Sequence, residues 1–474
     1  MNRLIPVRSG EWANFCCVSA MMASVTYVYG LLRILKESLI LSHASAEMIS
    51  AIKVWVIWPV SLLAVVSYMK LSDHMLRTRL FHAANSFFVF FFVSFALFIY
   101  PNYQSCCFHF GAEIVTNHPS LRYFFMVINN WPCSLFYACS ELWTTIMLSV
   151  STWEVTNHIT TIEQSKRFYP LYGAFRGCGL MIASVAASYF STIHESWGMT
   201  LNISILSLVI SASVLSGALW ILTRRLGFNV LNSDISAGSI VKKKKVPSSI
   251  IDSFKHILAS KIILLITAMI LCYGISLNLI EGVWKKAVEL EFLGNANQIQ
   301  HFMGRVFSGV AFFTVLFSII GVQIFRKIGW RKSALITPTA FLITGILFFL
   351  GVVCKDSRIL MLWGLPALEM AVYSGALNQV FARSSKNSFF DATKEMLYIP
   401  LSAELRTKGK AAAETVGMRF GKGSGALIQQ ILLTIFTGTN LIGLAPFLGA
   451  GFMVVIAVWF YATVSLSRIY EKII

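Results

Sequence analysis

Apolar stretches of about 20 residues follow one another along almost the whole chain, and that is the length at which a helix crosses a bilayer. In hydrocarbon the backbone must satisfy its own N–H and C=O groups, which leaves a helical bundle or a closed β-barrel. A barrel would show segments of about 10 residues in apolar–polar alternation. This chain carries unbroken runs instead, such as Phe87-Phe88-Val89-Phe90-Phe91-Phe92. With 56% hydrophobic and 13% charged residues, it has too little polar surface to cover a soluble core. The expected fold is an all-α membrane protein.

Twelve transmembrane helices are expected, at about 13–41, 50–69, 81–100, 122–153, 170–192, 200–222, 262–290, 299–325, 333–353, 358–382, 409–437 and 440–467. Alternate loops hold the cations: Lys70, Arg77 and Arg79; Lys166 and Arg167; Arg224, Arg225 and Lys242 to Lys245; Arg326 to Lys332; Arg383 to Lys408. The other loops are nearly bare, so the positive-inside rule places both termini in the cytoplasm and makes the chain multi-pass. The basic N-terminus mimics a signal peptide, but its apolar run outlasts one and reads as the first helix. The net charge of +18 belongs to these loops and to anionic headgroups. The partner it implies is the lipid bilayer, not nucleic acid.

The longest polar stretch, 223–260, reads as a basic cytoplasmic linker between six-helix halves at 1–222 and 261–474. The halves carry an internal echo. Tyr29-Gly30 followed by Glu37 matches Tyr273-Gly274 followed by Glu281, and Arg176-Gly177-Cys178-Gly179-Leu180 resembles Lys422-Gly423-Ser424-Gly425-Ala426, at offsets of 244 and 246. Such a parallel duplication is the plan of major-facilitator carriers, whose substrate site lies near the midplane between halves.

A charge near the bilayer centre costs at least ~2.5–3.5 kcal/mol, so it faces an interior cavity or a partner. Tyr29, Arg33 and Lys36 share one face of the first helix. They form either a cationic cavity wall or, for Lys36 and Glu37, a snorkelling outer end. Glu141 lies deep in the fourth helix. Asn278, Glu281 and Lys285 form a stripe on the seventh, either a substrate contact or a self-satisfied ladder. Glu281 needs a cation, Lys285 on its own helix or Lys36 or Lys422 across the cavity. Glu369 has no partner legible in sequence. On the eleventh helix Lys408, Thr415, Arg419 and Lys422 share a face, with Lys410 and Glu414 nearby. Gly417, Gly421, Gly423 and Gly425 let a helix or a ligand approach closely. A basic stripe of this kind suits a polyanion, although Lys408 and Lys410 also read as topology markers. The histidines and nine cysteines show no metal-ligand spacing, the Gly-x-Gly pieces follow no strand, and no nucleophile–base set is present. Neither cofactor, metal nor enzymatic activity is expected.

Several segments resemble the ATP/ADP translocase family of plastids and obligate intracellular bacteria. They include Leu32-Arg33-Ile34-Leu35-Lys36-Glu37, Ile52-Lys53-Val54-Trp55-Val56, Ser140-Glu141-Leu142-Trp143, Tyr273-Gly274 through Glu281, Phe390-Asp391-Ala392-Thr393-Lys394-Glu395 and Gly421-Lys422-Gly423-Ser424-Gly425. The resemblance runs in order along nearly the whole chain. It implies a major-facilitator-like fold in a bacterial inner membrane, a monomer, and exchange of ATP for ADP, with or without phosphate. It implies that Lys36, Glu141, Glu281 and the Lys408–Lys422 region contribute to binding or gating. With the charge pattern above, the expected substrate-binding residues are Arg33, Lys36, Glu141, Asn278, Glu281, Lys410, Arg419 and Lys422, with the base stacked on aromatic rings. The alternative is proton-coupled import of other nucleotides or dinucleotides, with Glu141 or Glu281 carrying the proton.

Overall fold

The computed structural model describes residues 7–226, 260–353, 366–401, 405 and 409–473. Among the described residues every regular element is helical. In chain order the long helices are α1 (Trp12–His43), α2 (Ala46–Ile52, running on through Lys53–Ile57 into Trp58–His74), α3 (Arg77–Ile99), α4 (Trp131–Ile159), α5 (Glu163–Ile193) and α6 (Trp197–Arg225). Then follow α7 (Lys261–Glu291), α8 (Ala296–Gly321), α9 (Lys327–Val353), α10 (Ala367–Ser385, running on through Lys386–Phe390 into Asp391–Tyr398), α11 (Lys410–Ile435) and α12 (Ala445–Glu471). Nine of these, all but α2, α10 and α11, are long and apolar enough among the described residues to cross a membrane. The three exceptions carry polar interior residues: Lys53 on α2, Arg383 and Lys386 on α10, Gln429 on α11.

The helices generally outrun the apolar runs. The tenth apolar run predicts an end near 382, with Arg383 and Lys386 in a loop. Instead α10 continues to Tyr398, because Arg383 meets Glu281 and Lys386 meets Asp391. Ion pairs stand in for the water a loop would have supplied. The greater part of the 223–260 linker, and Lys408, fall outside the described residues.

The sequence repeat corresponds to equivalent packing. Gly179 of α5 lies against α1, where a Cβ would stand 2.2 Å from the Ala23 carbonyl oxygen. Its counterpart Gly425 of α11 lies against α7, where a Cβ would stand 2.5 Å from Asn278 Cβ. Gly417 and Gly421 sit on Ile270 and Gly274 of α7 in the same way. The glycines of α11 therefore admit a neighbouring helix, as small residues do in membrane bundles.

One end of the bundle is sealed. There Lys286 of α7 lies 3.3 Å from Glu47 of α2, and Glu47 accepts the Leu441 N–H at 3.2 Å. Glu289 accepts the Ala46 N–H at 2.7 Å. Trp197 of α6 donates to Gln300 of α8 at 3.0 Å, and Asn297 donates to the His194 and Glu195 carbonyls. All these contacts join α1–α6 to α7–α12. At the opposite end, which carries the first turns of α1 and the last of α12, the ion pairs Arg167–Glu11, Arg77–Glu154, Lys410–Glu395 and Lys394–Glu414 each stay within one set of six.

Candidate functional site

Between the sealed end and the middle of the bundle, α1, α2, α4, α7 and α10 bring their charges together. Lys285 of α7 is fully buried and lies 2.7 Å from Glu281 and 2.9 Å from Glu37 of α1. Glu281 also accepts from Arg383 of α10 at 3.0 Å. Two carboxylates and two cations thus neutralise one another where an unpaired charge would be expensive. Glu281 takes the own-helix partner Lys285 and adds Arg383 from α10. The bridge to the first six helices runs from Lys285 to Glu37.

Around this core lie the remaining groups. Lys36 pairs with Glu141 of α4 and rests over the Tyr137 ring at 4.4 Å. Arg33 donates to the Tyr29 hydroxyl at 3.3 Å and covers the face of Phe307 on α8 at 4.1 Å, a cation–π contact. Lys53 of α2 donates to Asn278 Oδ1 at 2.9 Å, and Gln429 of α11 donates to the Asn278 carbonyl at 2.6 Å. Lys386 and Asp391 close the far side at 2.7 Å. The backbone adapts beside these groups. Lys53–Ile57 and Lys386–Phe390 are π-helical, as is Thr144–Ser151, three residues past Glu141. Such wider turns recur at functional positions.

The structure therefore gathers Arg33, Lys36, Glu141, Asn278 and Glu281. It sets Lys410 apart, paired with Glu395 at 2.5 Å near the unsealed end. Lys410 stands 15 residues before Gly425, the position packed on Asn278, or about 22 Å along a helix rising 1.5 Å per residue. The backbone of α11 is described through Arg419 and Lys422, but their side chains lie outside the described residues. Glu369 sits in the first turn of α10, away from the cluster. Sequence reasoning missed Lys53, Arg383 and Lys386. Lys53 carried the signal used for Glu141, a lone charge within an apolar run. Arg383 and Lys386 were hidden by the misplaced end of α10.

Apolar helices around a buried, ion-paired polar interior define a carrier of polar solutes, and the fold agrees. The chain superposes on a bacterial homologue of the iron transporter ferroportin with TM-score 0.57, at 12% identity, covering 97% of this chain and 100% of that one. A bacterial homologue of the human lysosomal transporter Spinster gives 0.52 at 11% identity, covering 98% of each. The fold is major-facilitator-like. Within it the chain belongs to the TLC ATP/ADP transporter family, which residues 1–470 match. ADP,ATP carrier protein 3 of Rickettsia bellii is 33% identical over 497 residues, covering 99% of this chain and 96% of that protein. ADP,ATP carrier protein 1 of Rickettsia bellii is 33% identical over 480 residues, covering 99% and 95%.

Proposed function

We propose that this multi-pass membrane protein exchanges ATP for ADP by alternating access. Membership of the ATP/ADP transporter family carries the reading, and the polar interior supplies a physical basis. Polyphosphate chains need cations, and Arg33, Lys36, Lys53, Lys285, Arg383 and Lys386 surround the interior. Glu37, Glu141, Glu281 and Asp391 pair with Lys285, Lys36, Arg383 and Lys386 while the site is empty, which leaves the six cations in excess over four carboxylates, and an arriving phosphate competes for the same cations.

In this reading α2, α10 and α11 also cross the bilayer, making twelve spans in two six-helix halves, and the chain works as a monomer in a bacterial inner membrane. Both termini are cytoplasmic. The sealed end is then external, and the conformation is inward-facing. No catalytic step is required, because rocking one half against the other moves the solute.

Counter-flow in proteoliposomes tests the proposal. Labelled ATP should enter vesicles loaded with ADP and should not accumulate in empty ones. Uptake into empty vesicles that rises with an inward proton gradient would overturn exchange in favour of symport.

A further inference from the structure

α5 and α6 both pack on α1 but touch one another little, and between them a groove opens on the outer side of the bundle. Its floor is Ala23, Ser24 and Tyr27 of α1, flanked by Gly179 of α5 and by Ser207 and Ser211 of α6. The rim residues Ile182 and Ile210 are each 59% exposed, so the groove faces the lipid and not the ion-paired interior. It holds about 320 Å³, within the ~300–1,000 Å³ of ordinary ligand sites, and its lining is mostly apolar. Its hydroxyl protons are turned inward. Tyr27 donates to Ser207 at 3.0 Å, Ser207 to the Ser204 carbonyl at 2.8 Å and Ser211 to the Ser24 carbonyl at 3.2 Å. They are satisfied within the chain, as hydrocarbon demands, so the groove offers an occupant contact area and not a hydrogen-bond donor.

The depth of the groove and the charge at its end select the occupant. Ser211 lies 14 residues before Arg225, or about 21 Å at 1.5 Å per residue. One leaflet contributes about 15 Å of hydrocarbon, and the headgroup layer supplies the rest. The groove therefore sits where the acyl chains of the leaflet at the unsealed end finish. At the headgroup end of α6 stand Arg224 and Arg225, both exposed. Arg224 lies over the Trp220 ring at 4.1 Å, and Arg225 is within electrostatic reach of Cys17 on α1. We propose that the groove seats an acyl chain of an anionic phospholipid whose phosphate is held by Arg224 and Arg225. The lipid braces α5 and α6 against α1, the helix that brings Arg33, Lys36 and Glu37 to the interior. A zwitterionic lipid fits the groove equally well but sets its own cation against the arginines. The proposal does not depend on which solute the protein carries.

The test is native mass spectrometry of the purified full chain in detergent, titrated with long-chain phosphatidylglycerol, short-chain phosphatidylglycerol and long-chain phosphatidylcholine. Wild type should retain the long-chain anionic lipid at concentrations about tenfold below those needed for the other two. Ser211→Phe fills the groove, and Arg224→Gln with Arg225→Gln removes the charge. Each should need at least about tenfold more of the long-chain anionic lipid. Arg331→Gln with Lys332→Gln, an exposed basic pair on α9, should bind as wild type. Unchanged binding in Ser211→Phe would leave a headgroup contact without a seated chain, and unchanged binding in the arginine variant would leave an apolar surface without charge selection; either overturns the proposal. An equal loss in the α9 variant would show general attraction to basic surfaces and overturns it too. If Ser211→Phe does not fold, the short-chain lipid on wild type decides, because retention equal to that of the long-chain lipid means that no chain is seated. A wild-type dimer that Ser211→Phe converts to a monomer would put a second copy of the chain in the groove instead of a lipid.

Discussion

Lys285 Nζ donates to Glu37 Oε1 at 2.9 Å, tying α7 to α1, its counterpart in the sequence repeat. The same ammonium group lies 2.7 Å from Glu281, the residue that matches Glu37 in that repeat. One lysine thus serves two equivalent carboxylates, one from each set of helices. A substrate anion that draws Lys285 away would loosen both at once.

Lys285→Met should therefore be far more damaging than Glu37→Gln. The first strands Glu37 and leaves Glu281 with Arg383 alone, and an uncompensated buried charge costs about 3–5 kcal/mol. The second leaves the Lys285–Glu281 and Arg383–Glu281 pairs intact. Thermal unfolding of matched detergent preparations reads the difference. Equal midpoints for the two variants would show that the pairs are not coupled through Lys285. Glu281→Gln should keep the fold and slow exchange; a variant with normal exchange would remove Glu281 from the gate.

How much of this was legible beforehand follows from where each charge sits. Glu141 and Glu281 stand alone in apolar sequence, and the cost of a membrane charge marks them. The repeat is legible in glycines that lie at helix contacts, Gly30 and Gly179 between α1 and α5, and Gly274 and Gly425 between α7 and α11. Lys53 is a lone lysine near one end of an apolar run, which snorkelling can accommodate, and nothing local announces its π turn. Arg383 follows the tenth apolar run and looks like a loop residue, since its partner, Glu281, is 102 positions away. Long-range neutralisation decides whether a basic residue ends a helix or stays inside it, and one sequence does not show the pairing.

At the sealed end, Glu47 of α2 holds two segments from beyond α6. It pairs with Lys286 and accepts the Leu441 N–H. Glu47→Gln removes the charge that binds Lys286, which then relies on Glu289 at 2.6 Å. Hydrogen exchange should quicken around Ala46 and Leu441, whose amides depend on Glu289 and Glu47. Glu163→Gln, which breaks only the exposed pair with Arg8, should leave both segments unchanged, since such pairs contribute little. Unchanged protection in Glu47→Gln would mean that apolar packing alone seals this end.

Outside the membrane spans, Glu11 accepts both Arg167 guanidinium nitrogens at 2.8 and 2.9 Å. The Arg167 hydrogen bonds hold its carboxyl down from the ordinary 4.5 to about 2. A depressed carboxyl adds stability that is complete above 4.5 and disappears as the pH falls from 4.5 toward 2. Wild type should therefore lose more stability across that window than Glu11→Gln, and the two acid-unfolding curves should converge at its lower end. Parallel curves would show that Glu11 stays paired in the unfolded chain or is never paired at all.

Gly423 of α11 faces Trp58 of α2. A Cβ there would stand 1.9 Å from the Trp58 ring of α2, so alanine cannot be accommodated while α2 and α11 stay in contact. At Gly425 the obstacle is Asn278 Cβ at 2.5 Å, on the neighbouring α7 of the same half. The two clashes differ in how they can be relieved. Gly425→Ala must strain a helix pair that remains packed, costing about 1–3 kcal/mol. Gly423→Ala can escape by parting α2 from α11, a contact between the first six helices and the last six. It should therefore impair exchange with little loss of thermal stability, whereas Gly425→Ala should lose stability first. Gly451→Ala, with open space around it, is the neutral control. Shortening the obstacle supplies the decisive arm: Trp58→Ala combined with Gly423→Ala should exchange faster than Gly423→Ala alone. If removing the indole gives no recovery, the Gly423 defect does not arise from contact between the halves, and the glycine is there for the backbone of α11 itself.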